Sequence, residues 1–208
     1  MINYIRQSWL ILALGLVCGV ALAGVNSWLD PIIKQNQADA RAKAALEVVP
    51  GAGSAKPLEA LAGMEAFQVF GPDGRPAGWA VTGEANGYGG TVKVMFGLNP
   101  QVTQVTGLKI LIHNETPGLG SKVTEQGFRR QFAGKPARPL KAAKAPAGET
   151  DIQAITGATI SSQAVCKAIN ARLEGLREQL LSASPAEGPG EPSVTPPQEQ
   201  GGPQEGQR

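Results

Sequence analysis

The chain has 208 residues, of which 19 are Lys or Arg and 17 are Asp or Glu, and it contains one His and two Cys. The length favours one ordinary domain with accessory segments, and the nearly balanced charge, with no basic cluster, argues against nucleic-acid binding. A structural zinc site needs four N or S ligands and an iron–sulfur cluster about four thiolates, so the counts argue against both and against a disulfide framework. We therefore expect no metal site, and any redox chemistry must come from an organic cofactor.

The first recognisable element is an uncharged segment, residues 7–29, which predicts a transmembrane helix. At 1.5 Å per residue it extends about 34 Å, enough for the ~30 Å hydrocarbon core of a bilayer. Trp9 and Trp28 lie near its two ends, where aromatic side chains favour the membrane interface. A cleaved signal peptide is the competing interpretation, because Ala21-Leu22-Ala23 matches the small-residue cleavage pattern. The apolar run continues beyond that site, so we favour an uncleaved anchor at residues 1–30.

The next segment, 31–50, predicts a second helix that emerges from the membrane. Pro31 suits a first helical turn, and the Ala-rich sequence that follows has high helix propensity. We expect the helix to end at the Pro50-Gly51-Ala52-Gly53 cluster. The basic residues leave the orientation of the anchor open. Arg6 and the amino terminus lie on one side and Lys34, Arg41 and Lys43 on the other, so the positive-inside rule does not clearly favour a cytoplasmic N-terminus.

Residues 51–181 predict one α+β domain with a mainly antiparallel sheet and flanking helices. Alternating apolar residues and turn signals predict four strands in two hairpins. These are 66–70 with 78–82 across Gly71-Pro72-Asp73-Gly74, and 91–98 with 101–112 across Asn99-Pro100.

The second half of this domain predicts two helices separated by a loop. A short helix is expected over 121–132 and a surface loop over 134–148, followed by a short apolar approach at 152–155. The second helix is expected to begin at Ser161 or Ser162 as N-cap. Its buried stripe is Val165, Ile169, Leu173, Leu176 and Leu180.

The last 27 residues, 182–208, contain six Pro, five Gly and no aromatic residue. Such a composition cannot bury enough apolar surface to order the chain, so a disordered tail is expected there.

The segment Ile155-Thr156-Gly157-Ala158-Thr159-Ile160-Ser161-Ser162 places small residues and a hydroxyl just before a predicted helix start. Small side chains let another molecule approach the backbone, and a helix N-terminus offers unpaired N–H groups to a phosphate. A plain capping loop explains the same residues, and in isolation that simpler interpretation is the stronger one.

A second segment, His113-Asn114-Glu115-Thr116-Pro117-Gly118-Leu119-Gly120-Ser121-Lys122, follows the last predicted strand. Its glycines can bring the backbone close to a flat ligand, with Glu115 or Thr116 supplying a polar contact. An ordinary turn is again the simpler alternative, and a lone His113 is a poor candidate for a metal ligand.

Taken together, ITGATISS, HNETPGLGSK and the N-terminal anchor resemble the covalent-FMN domain of the G subunit of Rnf-type electron transport complexes. They resemble more distantly the C subunit of the sodium-translocating NADH:quinone oxidoreductase. In that family the motif is Asp-x-x-(Ser/Thr)-Gly-Ala-Thr, and its last Thr carries FMN through a phosphoester bond. The resemblance, which extends to about residue 181, implies FMN on Thr159, with Thr156, Gly157 and Ala158 completing the motif. The Asp of the motif is Gln153 here, which places the efficiency of flavin attachment in question.

The same resemblance implies which side chains lie near the flavin ring. The ETPGLG loop supplies Glu115, Thr116, Leu119 and Gly120. Tyr88 and Trp79 are weaker stacking candidates, because a large aromatic such as Trp79 is more often part of a core.

The implied function is that of one component of a larger enzyme, which is not catalytic alone. It would be a single-pass flavoprotein of the bacterial inner membrane that relays electrons within a complex coupling ferredoxin and NAD to ion translocation. Its domain would lie on the periplasmic or extracytoplasmic side, and its partners would be the other subunits, membrane lipid and a flavin transferase. The alternatives are an FMN-relay component of a quinone-reductase-like complex, and a non-redox anchored scaffold.

Overall fold

The computed structural model describes residues 2–58 and 65–183. It begins with one long helix, α1 (Ile2–Val48), which contains a stretch apolar and long enough to cross a membrane. The separate helix expected to begin at Pro31 is not observed, because α1 runs through that proline without a break. Proline removes one backbone hydrogen bond, and the carbonyl released is that of the exposed residue Ser27. Water or lipid headgroups can satisfy that carbonyl, so the helix tolerates Pro31.

The domain is built on a five-stranded antiparallel sheet whose strands follow one another in chain order. They are β1 (Ser54–Leu58), β2 (Ala66–Phe70), β3 (Pro76–Asn86), β4 (Thr91–Leu98) and β5 (Val105–Ile112). The two predicted hairpins are confirmed as β2–β3 and β4–β5. Strand β5 begins later than expected, because the side chain of Asn99 accepts hydrogen bonds from the amides of Thr103 and Gln104 and holds that stretch as a turn.

Both faces of the sheet are covered. In β4, Val92, Val94, Phe96 and Leu98 enter the main core, whereas Met95 points to the other face, as the two-residue period of a strand requires. That other face is covered by the last turns of α1, through Ala44, Ala45, Val48 and Val49. Because α1 ends on the sheet, the anchor and the domain are one continuous structure.

The main core is closed by the second half of the chain. Its elements are 3₁₀ turns at Gly120–Thr124 and Arg130–Phe132, α2 (Gln126–Arg129), the parallel strands β6 (Lys141–Ala143) and β7 (Asp151–Gln153), α3 (Thr159–Leu173) and α4 (Leu176–Ala183). The helix predicted over 121–132 is thus three short turns, in which Phe128 and Phe132 pack edge to face at 5.4 Å. The predicted surface loop 134–148 contains β6 and buries Leu140 and Ala142.

The predicted start of α3 is wrong. The helix begins at Thr159 with Ala158 as N-cap, so Ser161 and Ser162 lie inside its first turn and are buried. Both hydroxyls have other partners there, since Ser162 Oγ donates to the carbonyl of Ala158 and Ser161 Oγ donates to Glu115. The apolar stripe continues into α4. Helix α3 ends at Leu173, where Glu174 adopts an extended conformation, and Gly175 with a φ of +71° then leads the chain into α4. The disordered tail expected at 182–208 lies outside the described residues, apart from 182–183 at the end of α4.

Candidate functional site

A cavity of about 770 Å³ lies where three segments meet: the turn between β3 and β4, the loop after β5, and the start of α3. All eight predicted site residues line it: Thr159, Thr156, Gly157, Ala158, Glu115, Thr116, Leu119 and Gly120. Tyr88 lines it as well. Trp79 does not; it is 3% exposed and its indole N–H donates to the carbonyl of Pro100 at 3.2 Å. The fold therefore brings the two motifs to one place, although the 32 residues 123–154 separate them in the sequence.

Thr159 is the first residue of α3 and is half-buried at the cavity wall. Among the described residues no hydrogen bond engages its hydroxyl, and no side chain caps the helix. The first N–H groups of an α-helix have no intrahelical acceptor and carry a partial positive charge. A phosphate attached to this hydroxyl would therefore lie beside unpaired amides that favour an anion.

Gly157 joins the two motifs. Its φ is +80°, in the left-handed region that favours glycine, and an added Cβ would lie 3.3 Å from Leu119 Cδ2. The turn that leads into Thr159 is therefore fixed both by backbone conformation and by contact with the loop after β5.

Glu115 is the main structural link of the site. The residue is only 5% exposed. Its Oε1 accepts from the amide of Tyr88 at 2.9 Å, and Oε2 accepts from the amide of Gly89 at 3.3 Å and from Ser161 Oγ at 2.8 Å. One side chain thus holds together the β3–β4 turn, the loop after β5 and the first turn of α3. Its oxygens already have these partners, so its position favours a role in holding the walls of the cavity.

Two glycines leave room for this carboxylate. A Cβ at Gly87 would overlap Glu115 Oε1, and a Cβ at Gly120 would lie 2.7 Å from both Glu115 Oε2 and Ser161 Oγ. A side chain at either position would thus collide with the buried carboxylate of Glu115.

Lys144 also lines the cavity, although no sequence motif pointed to it. Its carbonyl accepts a hydrogen bond from Gln153 Nε2 at 2.5 Å, a bond that an Asp carboxylate at position 153 could not donate. Among the described residues no carboxylate pairs with the Lys144 ammonium. Sequence patterns could not find this lysine, because it comes from a loop with no motif of its own.

Two other kinds of centre, a metal site and a reactive thiol, find no support in the described part of the chain. No group of three or more His, Cys, Asp or Glu residues could hold a metal ion there. Cys166 is 3% exposed, and burial raises the pKa of its thiol to about 12. It therefore remains an unreactive thiol at neutral pH.

The comparisons with known proteins agree with this geometry. A family model described as an FMN-binding domain matches residues 87–174, which include both motifs. The chain is 30% identical over 158 residues to the G subunit of the proton-translocating ferredoxin:NAD(+) oxidoreductase complex of Clostridium ljungdahlii, covering 76% of this chain and 83% of that protein. It is 35% identical over 176 residues to the G subunit of the Na(+)-translocating ferredoxin:NAD(+) oxidoreductase complex of Acetobacterium woodii, covering 76% and 84%. The chain belongs to this G-subunit family.

A solved structure has a similar fold. The crystal structure of Shewanella oneidensis NqrC superimposes with a TM-score of 0.51 at 22% identity, covering 67% of this chain and 73% of that chain. The superposition shows that the two proteins share the α+β fold.

Proposed function

We propose that this protein is a membrane-anchored flavoprotein that relays electrons within an Rnf-type complex, in which electron transfer between ferredoxin and NAD is coupled to ion translocation. The observation that carries the proposal is the cavity in which the free hydroxyl of Thr159 meets the loop after β5, in a chain with an FMN-binding domain. Its volume falls within the ~300–1,000 Å³ range of small-molecule sites. The protein is one part of the oxidoreductase and performs no complete reaction alone.

The residues of the cavity fit FMN attached through its phosphate to Thr159 Oγ1. The start of α3 and the ammonium of Lys144 would both favour the negative charge of a phosphodiester, the helix by about 0.3–1 kcal/mol. Leu119, Ile160 and Tyr88 offer apolar surface for a flat ring, and Gly120 and Gly157 also line the cavity. When bound, FMN supplies reversible electron transfer through its isoalloxazine ring, and the protein's task is to hold and orient it.

Covalent attachment implies a second protein. A flavin transferase that moves FMN from FAD to the Thr159 hydroxyl balances the bonds: the phosphoester to Thr159 forms, the bond between the two phosphates of FAD breaks, and AMP leaves. Half-burial of Thr159 and its place at the cavity wall keep the hydroxyl reachable. We further propose that α1 crosses the bacterial inner membrane once, with the domain on the extracytoplasmic side in contact with other subunits.

The test is attachment of flavin to the intact chain co-expressed with the transferase. The unaltered protein is expected to give a UV-fluorescent band on a denaturing gel and a mass increment equal to FMN minus water. Thr159→Ala should lose both signals, whereas Thr156→Ala, which alters the other hydroxyl of the motif, should keep them. A fluorescent Thr159→Ala band refutes the assignment, and a colourless native protein refutes covalent flavin altogether.

A further inference from the structure

The residue at which this chain departs from the family motif lies at the wall of the cavity. Residues 153–161 line the cavity without interruption, so Gln153 lies on the same wall as Thr159. The family motif has an Asp at this position, and the Gln found here removes a negative charge from the wall. Because a phosphodiester on Thr159 is an anion, the charge at position 153 affects how favourably it forms.

Gln153 is fixed by hydrogen bonds to two neighbouring segments. The side chain of Gln131 accepts from the amide of Gln153 at 2.8 Å, and its Nε2 donates to the carbonyl of Gln153 at 3.4 Å. The Nε2 of Gln153 in turn donates to the carbonyl of Lys144 at 2.5 Å. Lys144 directly follows Ala143, the register partner of Gln153 in the parallel pair β6–β7. The side chain of Gln153 therefore holds the main chain of Lys144 beside the cavity.

The main chain on either side of Lys144 is held as well. Before it, the carbonyl of Ala143 accepts from the amide of Ala154 at 2.8 Å. After it, Asp151 Oδ2 accepts from the amides of Ala147 and Gly148, each at 3.0 Å. The Lys144 side chain thus extends from a backbone with a defined position, and the bond from Gln153 is the one that acts on Lys144 itself.

Lys144 supplies the positive charge of the cavity. Among the described residues that line it, two side chains carry a charge, Glu115 and Lys144. The carboxylate of Glu115 already accepts from three donors, whereas no ion pair in the described part of the chain engages the Lys144 ammonium. A carboxylate at position 153 would lie next to Lys144 and compete with a phosphate for that ammonium. A glutamine there leaves the ammonium available.

We propose that Lys144 binds the phosphate of FMN as it is transferred to Thr159, and that Gln153 is the positioning residue that holds Lys144 for this contact. The inference rests on the proposed covalent attachment and deepens it. Recognition of the phosphate, in the transfer from FAD described above, is assigned to a lysine outside both sequence motifs. The Gln at the Asp position of the motif then supports flavin attachment in this chain.

The test measures the initial rate of flavin attachment to the full chain. The chain is purified in detergent without flavin, the transferase and FAD are added, and attachment is followed by intact mass. Lys144→Gln is expected to slow attachment about threefold, the size of effect expected for one exposed ion pair. The matched control is Lys141→Gln, which removes an exposed lysine of β6 that does not line the cavity and should leave the rate unchanged. A Lys144→Gln protein that reacts as fast as this control refutes the proposal.

Variants of Gln153 test whether it acts through Lys144. Gln153→Leu removes the donor without adding charge; it should slow attachment in the unaltered chain but have no further effect in Lys144→Gln. Gln153→Glu keeps the length of the side chain and adds a negative charge, so it should slow attachment more than Gln153→Leu. Equal slowing by Gln153→Leu in both backgrounds would show that the transferase contacts residue 153 directly, and would overturn the positioning role.

Salt separates a contact between charges from a structural defect. Raising sodium chloride from about 50 mM to about 500 mM shortens the Debye length to roughly 4 Å and should bring the unaltered chain and Lys144→Gln to the same rate. A difference that persists at high salt contradicts the charge contact. An unaltered chain that takes up no flavin refutes the proposed function and this inference with it, whereas flavin attached at one rate to all variants overturns this inference alone.

Discussion

Replacement of Glu115 by glutamine tests whether this carboxylate holds the cavity together. A glutamine can turn its oxygen towards Gly89 N and Ser161 Oγ, but its amino group then faces the amide of Tyr88, which is itself a donor. One hydrogen bond to a charged acceptor is lost, a contribution of about 1.5–3 kcal/mol, and the remaining bonds weaken because they are no longer charge-assisted. Water reaches the exposed Tyr88 and Gly89 and offsets part of the loss.

The expected destabilisation is about 2–3 kcal/mol in the free energy of unfolding, which lowers the thermal midpoint of a domain of this size by roughly 5–10 °C. Urea unfolding in detergent, followed by the fluorescence of the buried Trp79, measures it. Glu125→Gln is the matched control, because Glu125 is exposed and its side chain makes no capping bond. A Glu115→Gln protein within about 0.5 kcal/mol of that control would contradict the role assigned to Glu115.

Three further predictions concern the surroundings of the site. Gly157→Ala forces a side chain into the left-handed region and should lower stability by about 1–2 kcal/mol and reduce flavin attachment, whereas Gly127→Ala, where a Cβ meets open space, should do neither. Backbone hydrogen bonds from the preceding loop lower the pKa of Asp151. The ionised carboxylate should therefore stabilise the folded protein fully above the ordinary pKa of about 3.9, and this stabilisation should be lost as the pH falls below that value. Acid unfolding followed by circular dichroism should show this loss in the unaltered protein and not in Asp151→Asn. Cys166 should resist alkylation at pH 8 in a Cys18→Ser protein and react only when urea unfolds the domain, while rapid reaction under native conditions would show that burial does not suppress its thiolate.

Periodicity in the sequence was sufficient to predict four of the five strands of the main sheet. Strands β2, β3, β4 and β5 are rich in alternating or continuous apolar residues between clear turn signals, and their pairing follows from the short connections. Strand β1 could not be found in this way, because it is exposed along most of its length and contains Pro57, both typical of an edge strand. The short strand β6 was not predicted either, because the Pro- and Ala-rich stretch around it is not typical of a strand.

The position of the site could be predicted, but its internal contacts could not. The motif around Thr159 and the loop around Glu115 were identified from residues close in sequence, and the fold brings both to the same cavity. The bond between Ser161 and Glu115 joins residues 46 positions apart, so a local capping rule assigned Ser161 or Ser162 to the wrong role. Lys144 was missed because its place depends on Gln131, Gln153 and the packing of β7 rather than on any local pattern.

The uninterrupted helix from the anchor to Val48 fixes the rotational phase of the domain about the helix axis. Each residue of an α-helix turns the chain by about 100° and advances it by 1.5 Å. The carbonyl of Val48 lies close against Gly97 and Gly107, so the end of α1 cannot rotate on the sheet to compensate for an insertion. One residue inserted between 34 and 40 would therefore rotate the domain and its cavity by about 100° about the helix axis and shift them by only about 1.5 Å along it. Seven inserted residues would restore the heading to within about 20° and raise the domain by about 10 Å. The length of α1 alone therefore sets both the direction in which the cavity opens and its distance from the apolar segment of the helix.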